Sequence, residues 1–230
     1  GFEFLMPDNL WIRSLTNTSG TINLDWFLDI FGFEEKQEAE SRKIDIYKLL
    51  DEIAGGVPVG SSGIIYHPYI NLTGVSAPFR NVAARAQFFG LDINHEKKHL
   101  LRAVYEGLAL SMRELYDSIS RDIDDVYIIG GGSNSPFWCQ IFADCTGKRM
   151  LVPKGSEFGA RGVAMLAGVG SGIYKSMEEA SQRVLAISRI HQPNKANYKK
   201  YSKIYELYRS IYENMQDIWW ERRKLLEDLA

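Results

Sequence analysis

The feature that most constrains the fold of this chain is the stretch "VYIIGGGSNSPFWCQIFADCTG", in which an apolar run leads into three consecutive glycines and then into a helical pattern. The residues before the glycines are β-branched or aromatic and follow two acids, which predicts a short core strand. Beyond the glycines, Ser135 is suited to an N-cap, Pro136 to the first helical position and Gly147 to a C-terminal stop. The sequence therefore predicts a strand, a glycine turn and a helix over residues 136–145.

A glycine turn between a strand and a helix is suited to binding an anion. Glycines let backbone N–H groups approach a phosphate closely, and the amino end of a helix carries a partial positive charge. The spacing is neither the G-x-G-x-x-G of dinucleotide folds nor the G-x-x-x-x-G-K-[ST] of P-loops, which would add a lysine for the terminal phosphates. The residues alone leave two alternatives open: a nucleotide or phosphate site, and a tight turn that only packs the helix on its strand.

The composition indicates an ordinary globular protein but does not indicate which activity it has. The 230 residues suffice for one large domain or two small ones, and a hydrophobic fraction of 45% with a net charge of −2 is ordinary for a globular protein. Such a charge favours neither nucleic acid nor an anionic membrane as a partner. Cys139 and Cys145 are too few, and wrongly spaced, for a disulfide framework or a zinc site, so we expect a reducing, cytoplasmic setting.

From the residues given, we expect a chain that is not exported. It lacks the basic start and apolar core of a secretory signal, and the sequence has no run of 18 apolar residues. Because Gly1 is not an initiator methionine, we expect a fragment or a processed chain.

Several other segments have helical patterns. Asn23 is suited to cap a first helix, and the charged segment 34–54 predicts a second, more exposed helix that ends at Gly55 and Gly56. From a cap near Asn94, a long buried helix is predicted from apolar residues three and four apart. Its apolar face comprises Leu100, Val104, Leu108, Met112, Leu115 and Ile119.

The last third of the chain alternates short and long elements. The segment "RMLVPK" predicts a strand, and "GSEFGARGVAMLAGVGSGIY" predicts a helix whose small residues favour close packing against a sheet or another helix. The final segment predicts one long helix with a stripe of tyrosines that is typical of a core-facing surface. An exposed stripe would instead indicate self-association.

Three stretches resemble the FGGY family of carbohydrate kinases, which belong to the actin-like ATPase superfamily. The glycine stretch, followed by "EFGARGVAMLAGVGSGIY", resembles the adenosine-binding end of that family. Upstream, "AQFFGLDINHEKKHLLRAVYE" matches the family's second signature throughout, and "SLTNTSGTINLDWFLDIFG" is similar to its first turn and helix. The three stretches occur in the family's order and together span roughly residues 10 to 175.

The resemblance implies an α/β fold of the actin-like ATPase (ribonuclease H-like) type, with a mixed sheet flanked by helices. It also implies that residues 1–230 form the C-terminal, nucleotide-binding domain, preceded in the family by a sugar-binding domain and a first Gly-Thr-Ser-Gly phosphate turn. The family's general base is an aspartate in that preceding part, so we expect no catalytic residue in this chain. ATP and Mg²⁺ are the implied cofactors.

Five residues are assigned to the nucleotide by resemblance. Gly130, Gly131 and Gly132 correspond to backbone donors near phosphate or ribose, and Ser135 falls where the family often has a small polar residue near the nucleotide. Gly20, from the first turn, is a further contact. No residue is implied as a metal ligand.

Other polar residues in the matching stretches are expected to be structural. Asp144 lies on the helix after the glycines, and His99 lies on the long central helix. Glu106 ends the second signature. It lies one helical turn after Arg102, and this spacing predicts an ion pair between the two side chains.

One departure from the family bears on the substrate. Many members have a Gly-Glu-Arg-x-Pro element where this chain has Gly74-Val75-Ser76-Ala77-Pro78, a variant that resembles the branch of L-xylulose and erythritol kinases. The resemblance implies phosphoryl transfer from ATP to a sugar or polyol, with a pentulose such as xylulose favoured and bound through the N-terminal domain. A homodimer is also expected.

Two other functions compete with the kinase. One is a non-catalytic ATP-binding regulatory or scaffold module of the same actin-like fold. The other is a Rossmann-type dehydrogenase, which is disfavoured because the chain lacks the G-x-G-x-x-G spacing.

Overall fold

The computed structural model describes residues 2–6, 9–17, 20–119 and 123–229 of the chain. The helices in these ranges are α1 Ile22–Phe31, α2 Phe33–Arg42, α3 Ile46–Gly55, α4 Lys97–Asp117, α5 Pro136–Thr146, α6 Phe158–Gly170, α7 Met177–Val184 and α8 Lys195–Asp228. The strands are β1 Phe2–Leu5, β2 Trp11–Ser14, β3 Ile65–His67, β4 Gln87–Phe89, β5 Asp125–Tyr127, β6 Arg149–Pro153 and β7 Ile187–His191. β1–β2 and β3–β4 are antiparallel pairs, while β5 runs parallel and β7 antiparallel to β6.

Helix α4 is the central element of the main core. Its residues 101–111 are all buried, so the helix is enclosed around its circumference rather than on the single predicted face. At Gly107 the helix touches β3 so closely that a Cβ atom would collide with the carbonyl oxygen of Tyr66. The helix begins at Lys97 with Glu96 as N-cap, in a capping box with His99, so the predicted cap near Asn94 is too early.

The amino-terminal helices differ from the predicted pattern in two places. Helix α1 has Thr21 at its N-cap, so the prediction of Asn23 is wrong. Asn23 is instead buried, and its side chain joins the Gly20 carbonyl to the Tyr66 hydroxyl. The charged second helix is two helices, because Lys43 adopts a left-handed conformation and Asp45 then caps α3 with two hydrogen bonds.

The strand–turn–helix unit follows the predicted order. β5 and β6 pair with Val126 opposite Met150, and α5 packs on them through Ala143 to form a small second core. Helix α5 extends one residue beyond the predicted end and stops at Gly147, whose φ of +71° is a left-handed C-cap.

The two later helices have different environments. Helix α6 is largely exposed in the described chain, and no atom lies within 4 Å of a Cβ placed at Gly159 or Gly162. Its small residues therefore do not pack closely at these two positions, whereas Gly168 of the same helix is buried and a Cβ there would collide with the ring of Tyr174. Helix α8 packs its aromatic stripe into the main core as predicted. The buried members of the stripe are Tyr201, Tyr205, Tyr208, Tyr212 and Trp219.

Candidate functional site

The three glycines form an open turn between β5 and α5. Gly130 has a φ of +82°, which favours glycine, and its carbonyl oxygen accepts from the backbone N–H and the hydroxyl of Ser133 at 3.1 and 2.7 Å. Apart from the chain neighbours, no atom of the described residues lies within 4 Å of a Cβ placed at Gly130 or Gly131. A ligand could therefore approach the backbone of these two residues closely.

Gly132 has a different environment from its two neighbours. A Cβ atom at this position would lie 3.4 Å from the ring of Trp138, in van der Waals contact with it. Both alternatives from the sequence thus apply within one turn: Gly132 packs the turn on its helix, and the first two glycines face open space.

The amino end of α5 is capped by Ser135. Its side-chain oxygen accepts a hydrogen bond from the backbone N–H of Trp138 at 2.9 Å, and Pro136 occupies the first helical position. The 11-residue helix therefore presents an ordered, partially positive end beside the turn.

The turn is held by contacts from several elements. The Arg189 guanidinium of β7 donates to the carbonyl oxygen of Ser133. The Trp138 indole donates to the carbonyl oxygen of Tyr105 on α4 at 3.3 Å, and its ring is stacked on Phe142. These contacts fix the turn relative to both the small sheet and the main core.

A carboxylate from a distant part of the chain also reaches this site. Asp51 of α3 accepts a hydrogen bond from the Tyr105 hydroxyl at 2.8 Å. Burial raises the pKa of the Asp51 carboxyl above its ordinary value, although the hydrogen bond from Tyr105 lowers it. Sequence reasoning did not find Asp51, because its partner lies on another element and no local spacing connects the two.

Gly20 lies at the start of the first predicted helix of the chain. It precedes α1, which packs on α2 and α4, and its carbonyl oxygen accepts from the backbone and side chain of Asn23 at 3.2 and 3.0 Å. Among the described hydrogen bonds, none joins Gly20 to the glycine turn. Its role as a nucleotide contact remains a prediction.

The expected ion pair on α4 is part of a buried network. Arg102 donates to Glu106 at 2.8 Å, and the exposed fractions of the two residues are 5% and 3%. The Glu106 carboxylate also accepts from the Gly60 backbone at 3.0 Å, the Ser61 hydroxyl at 2.7 Å and the Tyr201 hydroxyl at 2.9 Å. These contacts connect α4, α8 and the loop before β3, which is a structural role.

Asp144 and His99 also have structural contacts. The Asp144 carboxylate accepts from Gln140 at 2.7 Å, the Asn194 backbone at 2.8 Å and the Asn197 side chain at 2.7 Å, and so holds the start of α8. The His99 imidazole accepts from the Glu96 backbone at 2.8 Å in the capping box of α4.

Neither a metal cluster nor a membrane-spanning helix is found in the part of the chain that the structure describes. Among residues 2–6, 9–17, 20–119 and 123–229, no group of three or more His, Cys, Asp and Glu is placed to hold a metal ion. No helix in these ranges is both long enough and apolar enough to cross a membrane.

Comparison with known proteins identifies related sequences over most of the chain. A model for the FGGY family of carbohydrate kinases, C-terminal domain, matches residues 3–171. The xylulose kinase of Bacillus subtilis is 31% identical over 220 residues, which cover 94% of this chain and 42% of that protein. The gluconokinase of Bacillus licheniformis is 29% identical over 211 residues, which cover 90% of this chain and 40% of that protein. The chain thus spans about two fifths of the length of these relatives.

The fold has counterparts among solved structures. The ligand-bound xylulose kinase of Lactobacillus acidophilus superposes with a TM-score of 0.74 at 24% identity, and the match covers 86% of this chain and 38% of that one. The expected actin-like α/β fold is therefore confirmed. The comparisons do not address the branch of L-xylulose and erythritol kinases, which remains a prediction.

Proposed function

This chain belongs to the FGGY family of carbohydrate kinases, and from that membership we propose that residues 1–230 form the C-terminal, nucleotide-binding half of an ATP-dependent kinase. The complete protein would transfer the γ-phosphoryl group of ATP to a hydroxyl group of a sugar or polyol. This chain would bind the nucleotide, and the sugar-binding domain and the general base would come from the N-terminal half.

The observation that carries the proposal is the open backbone at Gly130 and Gly131 beside the capped end of α5. A ligand at this turn would meet backbone donors without competing side chains, and the contacts of Arg189 and Trp138 hold the turn in place before any ligand binds. Such an ordered polar site avoids the free-energy cost of rearrangement on binding. We assign Gly130, Gly131, Gly132 and Ser135 to the nucleotide, with Gly20 as a further contact.

The proposed cofactors are ATP and Mg²⁺. Mg²⁺ usually binds through one or two carboxylates together with substrate phosphates, so the described chain need not contain a complete metal cage. When bound, the metal would neutralise charge on the phosphates as the phosphoryl group moves. The residues of this chain would position the nucleotide against the acceptor, and closure of the two halves would exclude water.

For the acceptor we propose a pentulose such as xylulose. Support comes from the xylulose kinase of Bacillus subtilis, although a gluconokinase has a similar identity to this chain. Because the residues that contact the sugar would lie mainly in the other half, membership of the family supports the chemical class, a carbohydrate, more strongly than any one member.

The proposal can be tested by ADP release in a coupled assay. We expect the 230-residue chain to bind ATP but to release no ADP in response to sugar, and the full-length gene product to phosphorylate D-xylulose, L-xylulose, erythritol or gluconate. Sugar-dependent ADP release by the 230-residue chain alone would contradict the division of roles between the two halves. A full-length protein that binds ATP but phosphorylates none of these acceptors would favour the non-catalytic module.

A further inference from the structure

We propose that Arg189 of β7 is a positioning residue for the nucleotide site, so that ATP affinity depends on its hydrogen bond to the Ser133 carbonyl group. The inference rests on the proposed function, namely that the glycine turn holds ATP. It adds a residue that lies outside residues 3–171, the part of the chain that matches the family model.

The glycine turn has occupied acceptors and available donors. The Gly130 carbonyl oxygen accepts from the backbone N–H and the hydroxyl of Ser133, and the Gly132 carbonyl oxygen accepts from the backbone N–H of Ser135 at 3.3 Å. By contrast, none of the described hydrogen bonds is donated by the backbone N–H of Gly131 or Gly132. This polarity suits a ligand that is rich in hydrogen-bond acceptors, such as a nucleotide.

The Ser133 carbonyl oxygen is the acceptor that the turn does not satisfy by itself. No described backbone N–H donates to this oxygen, and the Cys139 thiol, a weak donor, lies 3.8 Å away. The Arg189 guanidinium supplies a charge-assisted hydrogen bond, which is the stronger kind. Without it the buried oxygen would lack a good donor, so the peptide groups of the turn could rotate out of the observed arrangement.

The register of the small sheet explains how Arg189 reaches the turn. β7 is antiparallel to β6, with His191 opposite Met150, and Met150 packs against Ala143 of α5. Because alternate residues of a strand share a face, Arg189 projects from the same side of the sheet as His191, where α5 lies. In the described part of the chain its guanidinium forms no ion pair with a carboxylate, so no such pair holds it elsewhere.

The test compares Arg189→Met, which removes the donor, with Arg189→Lys, which keeps a charged donor. The matched control is Arg149→Met, which breaks an exposed ion pair with Asp125 at the start of β5 and β6, the end of the sheet away from the turn. Calorimetric titration measures the ATP affinity of each chain. Hydrogen exchange measures the protection of the Ser133 and Ser135 backbone N–H groups, whose hydrogen bonds close the turn.

We expect Arg189→Met to weaken ATP binding and to speed exchange at Ser133 and Ser135, each about tenfold, because the binding-competent form of the turn would no longer dominate. Arg189→Lys should bind ATP within about threefold of the parent, since it retains a charged donor. Arg149→Met should leave both measurements unchanged. The N–H groups of β6 should exchange at the parental rate in all three variants, which would show that the sheet is intact.

The other outcomes separate this inference from the proposed function. Parental ATP affinity in Arg189→Met would mean that binding does not need this contact. Weaker binding without faster exchange would mean that Arg189 acts on the ligand itself, and a Lys variant as weak as the Met variant would mean that a donor is not what matters. Each of these results overturns the inference and leaves the nucleotide site intact. A parent chain that does not bind ATP would overturn the proposed function together with the inference.

Discussion

The buried ion pair between Arg102 and Glu106 gives a prediction about stability. In Glu106→Gln one carboxylate oxygen becomes an NH₂ group, which faces the existing donors Gly60, Ser61 or Tyr201 instead of accepting from them. The change also leaves the Arg102 guanidinium, 5% exposed, without its charge partner. Removing one member of a buried pair typically costs about 3 to 5 kcal/mol. We expect a loss of that size in the free energy of unfolding, measured by urea denaturation.

The matched control is the exposed pair of the same type and spacing on α8. Arg209 donates to Glu213 at 3.0 Å, four residues along the helix, with both side chains about half exposed. Glu213→Gln should therefore change the free energy of unfolding by less than about 0.5 kcal/mol. A cost below about 1 kcal/mol for Glu106→Gln would refute the reasoning.

Three further predictions concern the core. His67 is fully buried, and burial lowers its pKa to about 4, so folding favours the neutral imidazole. The free energy of unfolding should have its full value above pH 6.5 and should fall by about 3 kcal/mol as the pH drops to 4. Urea titrations of His67→Gln should not show this loss. Gly107→Ala should lower the free energy of unfolding by about 1 to 3 kcal/mol, because the added methyl group collides with the Tyr66 carbonyl oxygen. An unchanged denaturation midpoint would show that helix and strand are not in such close contact. Cys139 and Cys145 are buried, and burial raises the pKa of both thiols. A thiol reagent should therefore label them only when the chain unfolds. Fast labelling of the folded chain would contradict this prediction.

The local unit at the site was predictable because its signals are short-range. Ser135, Pro136 and Gly147 act through their own backbone conformation and through bonds to near neighbours, so the bounds of α5 agree with the sequence to one residue. The Arg102–Glu106 pair was also found from spacing within a single helix.

The features that the sequence did not reveal depend on contacts between distant segments. Asn23 has the chemistry of an N-cap, but its bond to the Tyr66 hydroxyl draws it into the core. Asp51 reads as an ordinary polar residue of a surface helix until α3 is packed beside α5. The break at Lys43 requires a left-handed lysine, which no local preference predicts.

The central claim, that the open glycine turn holds ATP, is tested most directly by calorimetric titration of ATP into Gly131→Val. Apart from its chain neighbours, no described atom lies within 4 Å of a Cβ placed at Gly131, so the variant should fold, yet its side chain would project into the space proposed for the nucleotide. The control is Gly170→Val, at the end of α6, where an added Cβ likewise has no described atom within 4 Å outside its own helix and chain neighbours. We predict that Gly131→Val weakens ATP binding at least tenfold with its unfolding midpoint retained, and that Gly170→Val binds as the parent does. Parental ATP affinity in a folded Gly131→Val chain would contradict the account.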